Sequence, residues 1–182
     1  MNSRRPLNRR SFLMIGAALT VGGLPLRAGA HVVPATDRTI AFHNLHTGEN
    51  LKTTYWAEGR YIVSSLKDID LVLRDFRTGE VAEIDPGLLD LLHVLRGRME
   101  SNEPFHIISG YRSPKTNSKL AQASNGVAKK SLHMQGMAAD VRLPGRALSD
   151  LKNAAASLKL GGVGYYPKSD FIHVDVGRVR YW

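Results

Sequence analysis

The chain has 182 residues, of which 43% are hydrophobic and 23% charged, so its composition fits a globular protein with a sizeable core. It contains no cysteine, which excludes a disulfide scaffold and leaves histidine and carboxylate side chains to bind any transition metal. The formal charge of +9 falls to +4 beyond residue 30, because five arginines and no acid lie before that point, so the charge does not indicate nucleic-acid binding.

Residues 1–30 have the features of an export signal. A basic start containing Arg9 and Arg10 is followed by an apolar run over 12–24 and by an Ala-Gly-Ala cleavage site at 28–30. The paired arginines resemble those of a twin-arginine signal, which exports proteins that are already folded. The alternative, an uncleaved membrane anchor, needs a longer apolar run to span a hydrocarbon core of about 30 Å. We therefore predict a cleaved signal, a mature domain over 31–182 in the periplasm, and no stable membrane insertion.

The first half of the predicted mature domain contains a hairpin and two helices. Two segments rich in β-branched and aromatic residues, 38–43 and 51–56, flank a turn and predict a β-hairpin. Apolar residues spaced by three and four then predict one helix over 61–76 and another over 88–99. Asp85 and Pro86 provide an N-cap and a proline at the first helical position for the second helix.

The second half alternates short helices with strands. The pattern predicts strands over 105–109, 138–143, 161–166 and 171–176, and helices over 115–123 and 147–158. No internal repeat or low-complexity segment interrupts this order. The complete series of elements predicts a single α+β domain, in which a central antiparallel sheet is covered by helices on one side.

Two clusters of histidine and aspartate lie in this second half. His133 and Asp140 are seven residues apart, and His173 follows 33 residues after Asp140. Two histidines and one aspartate can hold a zinc ion and leave its fourth position open for water, as catalytic zinc sites do. If the strands that carry Asp140 and His173 pair, the three side chains can converge. The spacing alone leaves two alternatives, a metal site or unrelated residues, because such pairs are common.

Several motifs resemble those of known peptidases. Ser131-x-His133-x-x-Gly136-x-Ala138-x-Asp140, with the late His173, is similar to the signature of LAS-type zinc peptidases, which include D-Ala-D-Ala carboxypeptidases and dipeptidases. Four further segments resemble the murein endopeptidase K (MepK) family: 44–49 (NLHTGE), 108–113 (ISGYRS), 126–131 (GVAKKS) and 161–166 (GGVGYY). This resemblance implies the LAS/hedgehog-type fold and a Zn²⁺ ion held by His133, Asp140 and His173. It also implies a zinc metallopeptidase that hydrolyses peptide cross-links of peptidoglycan during cell wall turnover.

The resemblance assigns roles to two further residues, and strand geometry indicates a role for a third. Arg112 matches a family arginine that holds a substrate carboxylate or stabilises the oxyanion, and the alternative is a loop arginine paired to an acid. Related enzymes place an acidic general base three residues before the last zinc histidine, at the position of Asp170. Asp175 shares a strand face with His173, so it is expected either to act as the base or to orient that histidine. Asp175 is preferred as the indispensable residue, and Asp170 is the alternative base.

Two other functions remain as alternatives to the endopeptidase. One is a D-Ala-D-Ala-type carboxypeptidase, which would trim a free stem terminus instead of cutting a cross-link. The other is a non-catalytic zinc-containing protein that binds murein, and the presence of both Asp170 and Asp175 favours an enzyme over it. No nucleic-acid-binding motif is present, so the expected partner is peptidoglycan, and the protein is expected to be a monomer.

Overall fold

The computed structural model describes residues 36–123 and 128–182, and the predicted signal at 1–30 lies outside these ranges. In chain order the elements are β1 (Arg38–Asn44), β2 (Asn50–Ala57), β3 (Arg60–Tyr61), α1 (Val63–Val72), α2 (Pro86–Arg98), β4 (Phe105–Ser109), α3 (Pro114–Ala123), β5 (Ala138–Arg142), α4 (Leu148–Leu158), β6 (Gly162–Tyr166), β7 (Phe171–Asp175) and β8 (Arg180–Tyr181). Two short 3-10 helices, Leu132–Gln135 and Pro167–Ser169, precede β5 and β7. None of the helices in the two ranges has the length and apolar character that crossing a bilayer requires.

These strands form one sheet in the order β3-β2-β1-β4-β5-β7-β6-β8. Neighbouring strands are antiparallel except in two pairs, β1 with β4 and β6 with β8, which are parallel. The first parallel pair is possible because α1 and α2 lie between its strands in the chain and provide the long crossover that parallel pairing requires. The predicted single α+β domain is confirmed, and its sheet is mixed rather than wholly antiparallel.

One face of this sheet carries the hydrophobic core. Ile107, Val141, Ile172 and Val174 are at most 1% exposed and belong to one cluster with apolar residues of α1, α2 and α4. These three helices also contact the sheet, and α2 contacts α4, so they cover the same face. Because side chains alternate along a strand, the residues between these core positions project from the opposite face. That second face is where the functional residues lie.

Helix α1 is shorter than predicted, and the segment after it supports the functional site. The helix ends at Val72 instead of continuing to Phe76. The carboxylate of Asp75, which is 1% exposed, accepts hydrogen bonds from the backbone N–H of Arg77 at 3.0 Å and of Ser113 at 2.9 Å. These bonds turn the chain away from the helix and attach it to the loop between β4 and α3.

Candidate metal centre

A short 3-10 helix, Leu132–Gln135, positions the first candidate ligand, His133. Ser131 precedes the helix, and its hydroxyl accepts a hydrogen bond from the backbone N–H of His133 at 3.3 Å. Gly136 ends the helix in the left-handed region, with φ of 68°. A Cβ at this position would also collide with the backbone carbonyl of Glu83. Glycine therefore allows the chain to pass close to that carbonyl on its way from His133 to β5.

The other two candidate ligands come from paired strands. Asp140 on β5 and His173 on β7 are direct partners in the antiparallel register. Asp140 Oδ1 lies 2.9 Å from His173 Nδ1 and 3.2 Å from His133 Nε2, and these two ring nitrogens are 3.1 Å apart. The three residues are 2–8% exposed. The structure thus brings together all three residues that the sequence predicted as ligands, in a cluster that could hold a metal ion.

Hydrogen bonds on the far side of each ring determine which nitrogen faces the cluster. His133 Nδ1 lies 2.8 Å from the carbonyl oxygen of Gly110, so this nitrogen carries the proton and donates it. His173 Nε2 lies 3.0 Å from Asp175 Oδ2 and donates in the same way. In the neutral rings, His133 Nε2 and His173 Nδ1 therefore present lone pairs, and both point at Asp140 Oδ1. Three electron-rich atoms in contact require a positive charge between them, as a metal ion provides.

The pKa shifts of His173 and Asp140 are opposite in direction, and each favours the charged form of its residue. Burial lowers the pKa of His173, but hydrogen bonds to Asp140 and Asp175 outweigh this effect and raise it above the ordinary value. Burial raises the pKa of Asp140, but the two histidines together hold it well below its usual range. The separations of 2.9–3.2 Å are close to the roughly 3.3 Å between ligands placed ~2.0 Å from one tetrahedral ion. The two-histidine, one-aspartate set therefore fits zinc.

The three candidate ligands open onto a cavity of about 390 Å³. Its wall carries three basic side chains, Arg112, Lys130 and Arg180, and three aromatic ones, Tyr166, Phe171 and Trp182. Among the described residues, Asp140 is the one carboxylate that lines this cavity. The excess of positive charge favours an anionic substrate.

Arg112, for which the sequence predicted a catalytic role, lies beside the candidate ligands. Its backbone N–H donates to the carbonyl of His133 at 3.1 Å, and its Nη2 lies 3.6 Å from Asp140 Oδ2. Its Nη1 donates to Asn117 Oδ1 at 3.4 Å, and its buried Nε has no hydrogen-bond partner within 36–123 and 128–182. Burial lowers the pKa of this guanidinium although Asp140 raises it. Arg112 thus pairs loosely with a ligand acid and keeps N–H groups available at the cavity.

Asp175 is enclosed behind His173. Its side chain is fully buried, and Oδ1 accepts from the backbone N–H groups of Gly162 and Gly177 and from Arg180 Nη1 at 2.8–3.1 Å. Oδ2 accepts from His173 Nε2 and, at 2.6 Å, from Arg180 Nη2. Burial raises the pKa of this carboxyl, but these hydrogen bonds hold it well below its usual range. With both oxygens engaged and none at the cavity wall, the geometry fits the orienting role and not that of a general base.

Asp170 is not brought to the cavity. It follows the second 3-10 helix, Pro167–Ser169, and adopts a left-handed conformation with φ of 53°. Its side chain is 62% exposed and lies 2.7 Å from Arg142 Nη1. This bend places Asp170 outside the group of residues that line the cavity, so the geometry does not support the expected base at this position.

Trp182 is a cavity residue that the sequence motifs did not indicate. Its ring centroid lies 5.3 Å from that of His173, and its Nε1–H donates to the hydroxyl of Tyr166 at 2.8 Å. Gly164 faces it from β6, where a Cβ would lie 2.7 Å from the indole ring. In the sequence, Gly164 was the feature that could have indicated this contact, because a glycine inside a strand often marks the close approach of another group.

Comparison with known proteins identifies relatives across nearly the whole chain. Residues 32–182 match the protein family described as "Peptidoglycan L,D-endopeptidase MepK". The chain is 43% identical over 176 residues to the protein of that name from Escherichia coli, covering 96% of this chain and 97% of the relative. It is 40% identical over 177 residues to the "Probable peptidoglycan L,D-endopeptidase MepK" of Haemophilus influenzae, covering 96% and 95%. These matches confirm the resemblance that the motifs indicated.

Proposed function

The chain belongs to the peptidoglycan L,D-endopeptidase MepK family, and on that premise we propose that it hydrolyses peptide cross-links of peptidoglycan as an exported, zinc-dependent endopeptidase. One observation supports this most strongly. His133 Nε2, Asp140 Oδ1 and His173 Nδ1 present three lone pairs to one point, at the wall of a cavity lined by basic side chains. A metal-assisted hydrolysis needs such a ligand set with an open side toward the substrate.

We assign the zinc ion to those three atoms. When bound there, zinc lowers the pKa of a coordinated water toward neutrality and polarises the substrate carbonyl. Asp175 would act through His173, because its carboxylate holds the ring proton on Nε2 and so keeps Nδ1 free for the metal. It is a positioning residue in this proposal. Asp170 is left with its ion pair to Arg142 and takes no part in the reaction.

Arg112 would bind the anionic groups of the substrate. Its guanidinium combines a permanent charge with several N–H donors in one plane, which suits a carboxylate or the oxyanion of a tetrahedral intermediate. Lys130 and Arg180 add positive charge to the same cavity wall. Stem peptides of peptidoglycan carry free carboxylates, so this wall attracts them over neutral or basic peptides.

We infer that residues 1–30 direct export of the folded protein to the periplasm by the twin-arginine route, where its substrate is located. The mature domain is proposed to act as a monomer. Expression of the full chain in cells with and without a functional twin-arginine pathway tests this inference. Processed protein in the periplasm of both strains would contradict the route, and protein confined to the cytoplasm of both would contradict export.

The proposed function is tested by digestion of cross-linked muropeptides. Protein lacking residues 1–30 is incubated with purified muropeptide dimers, with and without a chelator, and the masses of the products are measured by mass spectrometry. We expect dimers to become monomers, no cleavage with chelator, and recovery when zinc is added back. Stems that lose one terminal residue would indicate a carboxypeptidase instead. Zinc-loaded protein that binds murein and cleaves nothing would indicate a non-catalytic protein, and cleavage insensitive to chelator would exclude the metal mechanism.

A further inference from the structure

Trp182 connects a proposed zinc ligand to a tyrosine of the cavity wall. Its indole lies next to His173 and donates through Nε1–H to the hydroxyl oxygen of Tyr166 at 2.8 Å. Two backbone hydrogen bonds attach the residue to β6, one from Tyr165 N to the Trp182 carbonyl at 2.9 Å and one from Trp182 N to the carbonyl of Val163 at 3.2 Å. The indole therefore has a fixed position beside the cavity.

The rings around this pair are also held in place. The guanidinium of Arg180 lies 4.9 Å from the centroid of the Trp182 ring, within the range of a cation–π contact. Tyr166 stacks on Phe171, with centroids 4.7 Å apart and ring planes inclined by 19°. Gly164 lets the indole approach the sheet. The Tyr166 ring is thus held by stacking on Phe171, and its hydroxyl is held by Trp182, which itself contacts Arg180.

The hydrogen bond from Trp182 also determines what the Tyr166 hydroxyl can do. A phenol oxygen can accept hydrogen bonds and can donate one. Because the oxygen already accepts from Nε1–H, its own hydrogen is directed elsewhere, and Tyr166 donates to no acceptor in the described part of the chain. The residue lines the same cavity as His133, Asp140 and His173. Tyr166 therefore offers a donor without an acceptor among residues 36–123 and 128–182, on a side chain that lines the cavity of the candidate ligands.

We propose that Tyr166 is a catalytic residue that donates this hydrogen bond to the oxygen of the scissile carbonyl, and that Trp182 positions it. This inference rests on the proposed function. In the step concerned, a water that has released one proton to solvent attacks as hydroxide and forms the new C–O bond. The C=O π bond breaks, its electron pair moves onto the carbonyl oxygen, and Tyr166 stabilises the new negative charge while keeping its own proton. A pre-oriented donor of this kind acts most strongly in the transition state, where that charge has developed.

Substitution Tyr166→Phe tests the proposal because it removes the hydroxyl and keeps the ring that stacks on Phe171. We expect kcat on a muropeptide dimer to fall roughly 10- to 100-fold, with KM within about twofold of wild type and an unchanged zinc content. The matched control is Tyr165→Phe, because Tyr165 packs against the core on the other side of the same strand. This control is expected to keep the wild-type kcat.

Trp182→Phe provides a second test, because it removes the Nε1 donor and retains an aromatic ring. We expect a smaller loss of kcat, and no additional loss when the substitution is made in the Tyr166→Phe background, since no hydroxyl then remains to be positioned. Independent losses that multiply in the double variant would contradict the positioning role.

Binding of a phosphinate analogue of the cross-link amide gives a readout besides activity, since its tetrahedral oxygens mimic the oxyanion. Calorimetry with zinc-loaded protein should show that Tyr166→Phe weakens this binding by the same factor as kcat/KM and leaves binding of the product unchanged. Wild-type values for the variant in both assays would overturn the inference and leave the proposed function intact. A wild-type protein that holds zinc and cleaves no dimer would instead overturn the proposed function, and this inference with it.

Discussion

Substitution Asp175→Asn separates a positioning role of this residue from a role as general base. Asparagine has the same size but keeps one acceptor oxygen and replaces the other by an amide group that donates. If the side-chain oxygen of the asparagine still accepts hydrogen bonds from the backbone N–H groups of Gly162 and Gly177, the new amide nitrogen faces His173 Nε2 and Arg180 Nη2. Both of these atoms are donors, like the amide itself. His173 can then satisfy the amide only by moving its proton to Nδ1, the atom proposed to bind zinc.

The size of the effect follows from the two hydrogen bonds that are lost. Each joins Asp175 to a group that carries or shares positive charge, and such bonds contribute about 1.5–3 kcal/mol each. Arg180 is 32% exposed, so water partly replaces its partner and the lower value applies. We therefore expect the free energy of unfolding of the zinc-free protein to fall by about 3 kcal/mol. The change of tautomer should weaken zinc binding by about 10- to 100-fold.

Three measurements on one preparation decide the role. Chelator competition gives zinc affinity, denaturant unfolding gives stability, and dimer cleavage at saturating zinc gives kcat. At saturating zinc we expect kcat within about tenfold of wild type, because loss of a general base would cost roughly 100- to 10,000-fold. Asp170→Asn is the control, since that exposed carboxylate contacts Arg142 and should leave all three values unchanged. Wild-type zinc affinity of Asp175→Asn together with a kcat reduced by a hundredfold or more would refute the reasoning.

Three further substitutions test the scaffold and the substrate contact. Gly136→Ala should strain the backbone by about 1–3 kcal/mol and collide with the carbonyl of Glu83, whereas Gly145→Ala, with a similar φ and nothing within 4 Å, should show the strain alone. The two variants are compared by thermal unfolding and by zinc content. An equal loss of stability in both would contradict the collision at Gly136. Asp75→Asn tests pH dependence. Burial raises the pKa of Asp75, but hydrogen bonds lower it to about 2, so its stabilisation of about 2 kcal/mol is complete above about pH 4 and is lost as the pH falls through about 2. Urea unfolding of zinc-free protein should show Asp75→Asn less stable at pH 7, with the difference from wild type shrinking as the pH falls from about 4 toward 2. A constant difference would exclude this linkage. Arg112→Lys should lower kcat/KM on dimers roughly 10- to 100-fold at unchanged zinc affinity, because lysine lacks the planar fork, and a wild-type value would exclude Arg112 from the reaction.

Features encoded by nearby residues were predictable from the sequence. Helix α2 begins as expected, because Asp85 accepts a hydrogen bond from the N–H of Gly87 at 2.8 Å and Pro86 occupies the first turn. The alternation of side chains along a strand also follows from neighbouring residues alone. It places Val141 in the core and Asp140 on the opposite face. The motif around His133 and the late His173 then sufficed to group the three candidate ligands.

Features that depend on distant partners were not predictable. The end of α1 is determined by Asp75, whose hydrogen bond to Ser113 joins residues 38 positions apart. The spacing of Asp175 and His173 showed that they share a face, but the orientation of the carboxylate depends on Arg180 and on a backbone amide of another strand. The spacing of Asp170 matched a family position for a base, but its left-handed conformation directs the chain elsewhere.

The two outermost strands of the sheet, β3 and β8, contain two residues each, and each begins with an arginine. Exposed backbone at the edge of a sheet is a template onto which other chains can add, and proteins suppress this by shortening and charging their edges. Another chain would find too little ladder on either of these two strands to form stable cross-strand pairs with it. The outermost strands of the sheet thus oppose edge-to-edge aggregation, although the sheet has not closed into a barrel.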